Sequence, residues 1–178
     1  MKQITYDEIR QRLESYIPHK IQDKKAKRAG VLVPLYGKGD QISIILTKRT
    51  FDVSIHKGEI SFPGGVCEEG DSNTKDAALR ECFEEIGVKI DDLKIIGRLD
   101  DIYTITGYLV SPYVGTVPYP YFFRTNDREV ASLIFLPMAR ILEPDFQRED
   151  YCIFYNGEKI FGATFKILKN LSSVLISA

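Results

Sequence analysis

The stretch Arg80-Glu81-Cys82-Phe83-Glu84-Glu85-Ile86-Gly87 decides how this chain is read. It closes a segment, about Thr74 to Ile86, in which Ala78, Cys82 and Ile86 recur at helical spacing, with Leu79 and Phe83 extending the apolar stripe toward a core. Asn73 or Ser72 suits an N-cap, and Gly87 is a stop signal. On such a helix Glu84 and Glu85 follow Glu81 at i+3 and i+4, so the spacing predicts three carboxylates on one side. Like charges so placed cost an isolated helix roughly 0.2–0.5 kcal/mol per pair. Arg80 can relieve Glu84 but not all three, whereas a hard divalent cation with oxygen ligands can.

A solvated glutamate-rich face is the commoner use of such a pattern, and the residues ahead of the helix argue against it. Phe62-Pro63-Gly64-Gly65 predicts a tight corner that exposes backbone, and Glu68, Glu69 and Asp71 lie between it and the helix. Backbone beside a metal site can donate amides to phosphate oxygens or present a carbonyl to the cation.

Taken together, Gly65, Asp71, Arg80, Glu81, Glu84, Glu85 and Gly87 resemble the Nudix box, in which a glycine and an acidic residue precede R-E-x-x-E-E-x-G. The five fixed residues of that core coincide by chance on the order of once per million positions. Asp71 stands where the general pattern has Glu, and the gap from it to Arg80 is longer by one residue. The upstream run Leu46-Thr47-Lys48-Arg49-Thr50, continued by Gly58 and Phe62-Pro63-Gly64-Gly65, is similar to the signature of the coenzyme A pyrophosphatase branch. So is the closing run Ile160-Phe161-Gly162-Ala163-Thr164. One position departs: Ser54 stands where that branch has an arginine.

The resemblance implies a fold and a set of roles. The fold class is α/β (α+β), a Nudix-type α/β/α sandwich around a mixed β-sheet. Residues 1–178 form a single domain, with an N-terminal helix and basic linker over 1–28 and the box over 64–87. The activity is in-line attack of water on a P–O–P linkage with Mg²⁺ or Mn²⁺. Glu81, Glu84 and Glu85 are the expected metal ligands, with the Gly65 carbonyl as a further one. Arg80 orients the carboxylates, and the general base is Glu81 or Glu129. Arg49, His56, Lys57, Phe62 and Gly64 are candidates for substrate contacts. Coenzyme A would give 4′-phosphopantetheine and adenosine 3′,5′-bisphosphate. The alternatives are another Nudix activity, on ADP-ribose, NADH or dinucleoside polyphosphates, and a non-catalytic nucleotide-sensing module.

Outside these motifs, hydrophobic periodicity predicts a helix over 5–16 built on Ile9, Leu13 and Ile17, and a hairpin of strands Ala29–Tyr36 and Ile42–Thr47. Further strands are expected near Leu93–Leu99, Tyr108–Val117 and Ser132–Leu136; Pro112 argues that the second is an edge or carries a bulge. A short helix is expected over Pro137–Leu142, and Asn156-Gly157 marks a second hairpin before a last helix over Phe161–Leu175. Loop aromatics Tyr103, Tyr119, Tyr121, Phe122 and Phe123 could stack on a base or simply fill turns.

Composition sets the remaining expectations. A net charge of −1, from 24 basic and 25 acidic residues, gives no electrostatic reason for tight nucleic-acid or membrane binding and leaves a small anionic ligand open; that this partner is a nucleotide is what the resemblance implies. No apolar run reaches the roughly 18 residues of a membrane span. The amino-terminal residues lack a signal-peptide stretch, and the cysteines Cys67, Cys82 and Cys152 form no paired motif, which suits a cytoplasmic protein. Monomer and homodimer both stay open.

Overall fold

The structure, a computed structural model, describes residues 4–51 and 58–177. Two apolar runs form its centre. Strand β1 (Lys27–Lys38) turns at Gly39-Asp40 into β2 (Gln41–Arg49), antiparallel, with Tyr36 opposite Ser43. The alternation of side chains explains why both strands are apolar almost throughout. Leu32 and Ile45 enter one hydrophobic cluster, while Val33, Leu35, Ile44 and Leu46 enter another on the opposite face. Both faces of this sheet are covered.

The sheet is mixed. β1 runs parallel to β7 (Tyr108–Thr116), from Lys27 opposite Tyr108 to Leu35 opposite Thr116. Its other neighbours are antiparallel: β4 (Gly64–Val66) beside its first half and β2 beside its last residues. β2 continues to β3 (Ile60–Ser61) and to β8 (Val130–Pro137), and β7 to β5 (Lys94–Arg98) and β6 (Ile102–Tyr103).

Helix α2 (Thr74–Ile86) packs on the Leu32 face through Ala78, Cys82 and Ile86. The other face is covered by α1 (Tyr6–Ser15), α3 (Met138–Ile141), α4 (Pro144–Arg148) and α5 (Gly162–Ile176), which bury Ile9, Leu13, Ile141, Phe146, Leu168 and Leu171. The hairpin of β9 (Cys152–Tyr155) and β10 (Glu158–Phe161) joins that layer. Its turn residues have positive φ, 50° at Asn156 and 82° at Gly157, as a two-residue hairpin turn requires. No helix of the described residues is long and apolar enough to cross a membrane.

Four expectations need correction. Ile17 is 89% exposed and takes no part in α1. It precedes Pro18, which biases it out of the helical region, and the chain turns extended at Tyr16. Phe83 does not extend the apolar stripe of α2; it is 50% exposed, and the buried side runs through Ala77 and Glu85 instead. Pro112 lies in an interior strand, flanked by β1 and β5, without a bulge of its own. Its carbonyl accepts the Leu99 N–H at 3.0 Å, so its missing N–H points to the same side, where pairing passes from β5 to β6. Strand β1 also starts earlier than expected, taking Lys27 and Arg28 from the basic run.

Candidate active site

Helix α2 is held at both ends by local chemistry. The Asn73 side chain accepts the N–H groups of Lys75 (2.8 Å) and Asp76 (3.2 Å). At the other end Gly87 takes the left-handed conformation, φ 72°, and donates to the Phe83 carbonyl at 2.9 Å. Ala77, Ala78 and Gly30 let the helix lie close on β1. The buried side of this helix also carries Glu85, which is 2% exposed.

The three glutamates therefore do not share one open patch. The Glu81 side chain is 16% exposed, that of Glu84 49% and that of Glu85 3%. Arg80 collects the first two: one Nη donates to Glu81 Oε1 at 2.9 Å and to Glu84 Oε2 at 3.1 Å. Its other side grips the loop before the helix, donating to both Asp71 oxygens (3.0 and 3.3 Å) and to the Val66 carbonyl (3.2 Å). Asp71 is in turn held by the Glu68 amide, 2.9 Å from its Oδ2. Asp71 thus fills the acidic place of the motif as the loop's anchor to Arg80. Gly65 lies against Glu81; a Cβ there would come within 2.2 Å of Oε1.

Glu85 is in the most unfavourable electrostatic position. Burial, and then the charge of Glu81, push its pKa up to about 8. Arg49, at the end of β2, opposes this, but at 3.9 Å its nearest nitrogen is too far for a hydrogen bond. Among the described residues, both Glu85 Oε2 and Arg49 Nε are buried without a hydrogen-bond partner. Burial raises Glu81 as well; Arg80 pulls it back, and the charges of Glu84 and Glu129 push it up. Glu129 acts on Glu85 in the same sense, so it lies within electrostatic reach of both. Asn126 brings it there: its amide donates to the Glu85 carbonyl at 2.9 Å and its side-chain nitrogen to Glu129 Oε1 at 3.1 Å. The Thr50 amide holds the Glu129 carbonyl at 2.9 Å.

Among the described residues no three acidic, His or Cys side chains are placed to hold a metal ion by themselves. The donor chemistry nonetheless fits one: oxygen ligands only, an orphaned carboxylate oxygen on Glu85, and neighbouring like charges that a cation would offset. Magnesium commonly uses one or two carboxylates, with water and substrate phosphate completing its shell.

Other expected site residues fare differently. Gly64 pairs with Val31, and its backbone lowers the Glu85 pKa, placing it at the carboxylates. Phe62 is 3% exposed within the hydrophobic core; its ring anchors the glycine corner and has no surface to offer a ligand. His56 and Lys57, and Ser54, lie outside the described residues. Tyr121 and Phe123 pack with Tyr36 on the α2 side, Tyr103 donates to Asp23 at 2.6 Å, and Phe122 is 79% exposed. The sequence reading missed Asn126, which acts through its backbone amide and its side-chain nitrogen, and Thr50, which acts through its backbone amide; no residue pattern announces these contacts.

The NUDIX domain family matches residues 26–154, which take in the sheet, the glycine corner and all of α2. The chain belongs to the Nudix family. Among curated proteins, the Uncharacterized Nudix hydrolase NudL of Enterobacter sp. (strain 638) is 30% identical over 181 residues, covering 95% of this chain and 94% of that protein. Among solved structures, DR0079 from Deinococcus radiodurans superposes with a TM-score of 0.58 at 17% identity, over 83% of this chain and 86% of that one. The Ap4A hydrolase of C. elegans gives 0.54 at 18% identity, over 62% and 80%. At these identities the structural likeness speaks for the fold alone. As a Nudix hydrolase the chain is a pyrophosphohydrolase, cutting a pyrophosphate bond in a nucleoside-diphosphate-linked substrate, and Nudix hydrolases generally use divalent metal ions.

The Arg80 clasp has a measurable consequence. Lysine keeps the charge but cannot span Asp71, Val66 and two glutamates with a rigid fork. Were Glu81 and Glu84 to hold a cation, Arg80→Lys would be expected to lower kcat by about 10–100-fold, the size of loss seen when a group orienting metal ligands is removed. Steady-state kinetics with saturating metal would register it, and an unchanged kcat would show that the clasp is dispensable.

Proposed function

We propose that this Nudix hydrolase acts on coenzyme A or its thioesters, giving 4′-phosphopantetheine and adenosine 3′,5′-bisphosphate. One observation carries the reading: the two halves of the upstream signature, Leu46–Thr50 and Phe62–Gly65, both border the box carboxylates. Arg49 lies 3.9 Å from Glu85, and the Gly64 backbone acts on the same side chain.

In this reading Glu81 and Glu85 hold Mg²⁺ or Mn²⁺, with Glu84 and the Gly65 carbonyl as further ligands. The cation, when bound, offsets phosphate charge and lowers the pKa of a coordinated water. The protein's own work is positioning. Arg80 keeps Glu81 and the loop 66–71 in register. Glu129, tied through Asn126 and free of Arg80, is the better base than Glu81 for the proton of the attacking water. As the water oxygen bonds to one phosphorus, the P–O–P bridge opens and the leaving phosphate carries away the bridging oxygen. Arg49, with an unpartnered Nε, is suited to face a substrate phosphate. Three cysteines, none in a disulfide, suit a reducing compartment such as the cytoplasm.

Ser54 favours a second reading, in which ADP-ribose, NADH or a dinucleoside polyphosphate is the substrate, because the signature arginine is absent. A panel with Mg²⁺ and Mn²⁺ separates the two. We expect kcat/KM for coenzyme A or a thioester to exceed that for ADP-ribose by about tenfold or more, roughly 1.4 kcal/mol. The reverse order would establish the second reading, and no turnover of any member would favour a sensing module.

A further inference from the structure

The carbonyls at the end of α2 are met by a turn that lies outside the box. A helix leaves the carbonyls of its final turn without donors of its own. After β7 the chain returns to supply two of them: the Arg124 amide donates to the Ile86 carbonyl at 3.1 Å and the Asn126 amide to the Glu85 carbonyl at 2.9 Å. Asn126 then closes the turn. Its carbonyl accepts the N–H groups of Glu129 (2.9 Å) and Val130 (2.8 Å), and its side-chain Oδ1 accepts that of Arg128 at 3.2 Å. With Oδ1 engaged by a donor, the side-chain nitrogen is directed at Glu129, whose Oε1 accepts it at 3.1 Å. A single residue thus joins the helix that carries Glu85, the backbone of the turn and the Glu129 carboxylate.

The other flank of the turn is held from β2. Thr50, 8% exposed, directly follows Arg49; its hydroxyl donates to the Arg128 carbonyl at 2.7 Å and its amide to the Glu129 carbonyl at 2.9 Å. At the same place the pairing of β2 with β8 slips between Lys48 and Arg49, so Ala131 has no partner across the sheet. A bulge of this kind bends a strand and re-aims the side chains beside it. The turn 126–130 is therefore pinned to α2 by Asn126 and to β2 by Thr50, the two elements whose Glu85 and Arg49 approach each other.

We infer that Asn126 is a positioning residue for the hydrolysis: its side-chain nitrogen fixes Glu129 Oε1, so that Oε2 is presented to the attacking water, and its backbone makes the base ride on the helix that carries Glu85. Thr50 holds the other end of the same turn. The inference rests on the reading of Glu129 as the base. A glutamate on a loop loses rotamer freedom when it takes up a reactive geometry. A hydrogen bond made before substrate arrives removes that cost from the reaction itself. Because Asn126 acts through Glu129 rather than on the substrate, the effect belongs in kcat and not in KM.

Asn126→Ser is the test. Serine offers an oxygen to the Arg128 amide and keeps the backbone contacts, and it is too short to reach Glu129. The assay uses saturating Mg²⁺ and whichever member of the substrate panel is turned over fastest. The variant is expected to lose about tenfold or more in kcat, with KM, Tm and the Mg²⁺ concentration for half-activation near wild type. In a Glu129→Gln background the same change should cost nothing further, since the group it positions is gone. Thr50→Val should lower kcat in the same way, and Thr50→Ser, which keeps a hydroxyl there, should recover most of the loss. A wild-type kcat in Asn126→Ser, or an equal loss with and without Glu129, overturns the inference. So does a weakened response to Mg²⁺, which would place the effect on Glu85. Glu129→Gln at the wild-type rate would remove the base and the inference with it. A slow Glu129→Gln beside an unaffected Asn126→Ser would leave the base standing and remove only its positioning by Asn126.

Discussion

Glu85→Gln is expected to lower kcat by about 10³-fold or more while making the metal-free protein more stable at pH 8. The two effects share one cause. Glu85 sits in the buried side of α2, 3.9 Å from an arginine that does not hydrogen-bond it and within reach of the charges of Glu81 and Glu129. Its folded pKa of about 8 stands above the ordinary glutamate value of 4.5. Below pH 4.5 both folded and unfolded chains hold the proton, and Glu85 contributes nothing to the pH dependence. Between about 4.5 and about 8 the unfolded chain releases a proton that the folded chain keeps, so stability falls as pH rises through that window. Above it the full penalty applies, on the order of a few kcal/mol. Glutamine keeps the shape and cannot ionise, so thermal melts of the variant with EDTA should lose this slope. Added Mg²⁺ should raise the wild-type Tm more at pH 8 than at pH 6, since a cation must displace the proton, and should leave the variant nearly unchanged. A variant with wild-type activity, or a wild-type melt insensitive to both pH and metal, would remove Glu85 from the metal site.

The same helix measures how much was legible beforehand. Its span, Thr74–Ile86, a cap at Ser72 or Asn73, of which the structure uses Asn73, and its Gly87 stop were readable because each rests on local chemistry, and β1 and β2 because a run apolar on both faces has few other uses. Tertiary packing is where that reading stopped. Helical spacing alone groups Glu81, Glu84 and Glu85, yet one turn of helix holds a half-exposed glutamate and a buried one, because the sheet beneath decides which side is inside. Pro112 is tolerated in an interior strand only because the neighbour changes from β5 to β6 beside it, a fact of pairing. Phe62 belongs to a motif that resembles a substrate signature and serves the core. Glu129 was nameable from its place before β8; its approach to the box rests on the Asn126 amide held by Glu85, the Asn126 side chain and the Thr50 amide, tertiary contacts that a residue pattern does not announce.

Gly30→Ala should be the most damaging small change away from the chemistry. Gly30 lies mid-strand in β1, with Gly65 on one side and Ser111 on the other, and the first turn of α2 rests directly on it. A methyl group there would meet the Thr74 carbonyl oxygen at 1.7 Å and the Ala78 nitrogen at 3.0 Å, both backbone atoms that no side-chain rotation can move. The helix must lift off the sheet, opening the packing of Ala78, Cys82 and Ile86 against Leu32 and Ile45. Overpacking of this kind costs about 3 kcal/mol or more, on the order of 10 °C in Tm for a chain of this size. Because the displaced helix carries Glu81 and Glu85, kcat should fall with stability, even well below the melting transition. Gly70→Ala is the control: nothing lies within 4 Å of its added carbon, and its φ is not positive, so Tm and kcat should both stay near wild type. Equal melting temperatures for Gly30→Ala and Gly70→Ala would mean that α2 does not sit on β1 as closely as described, and the carboxylate positions that depend on that contact would fall with it.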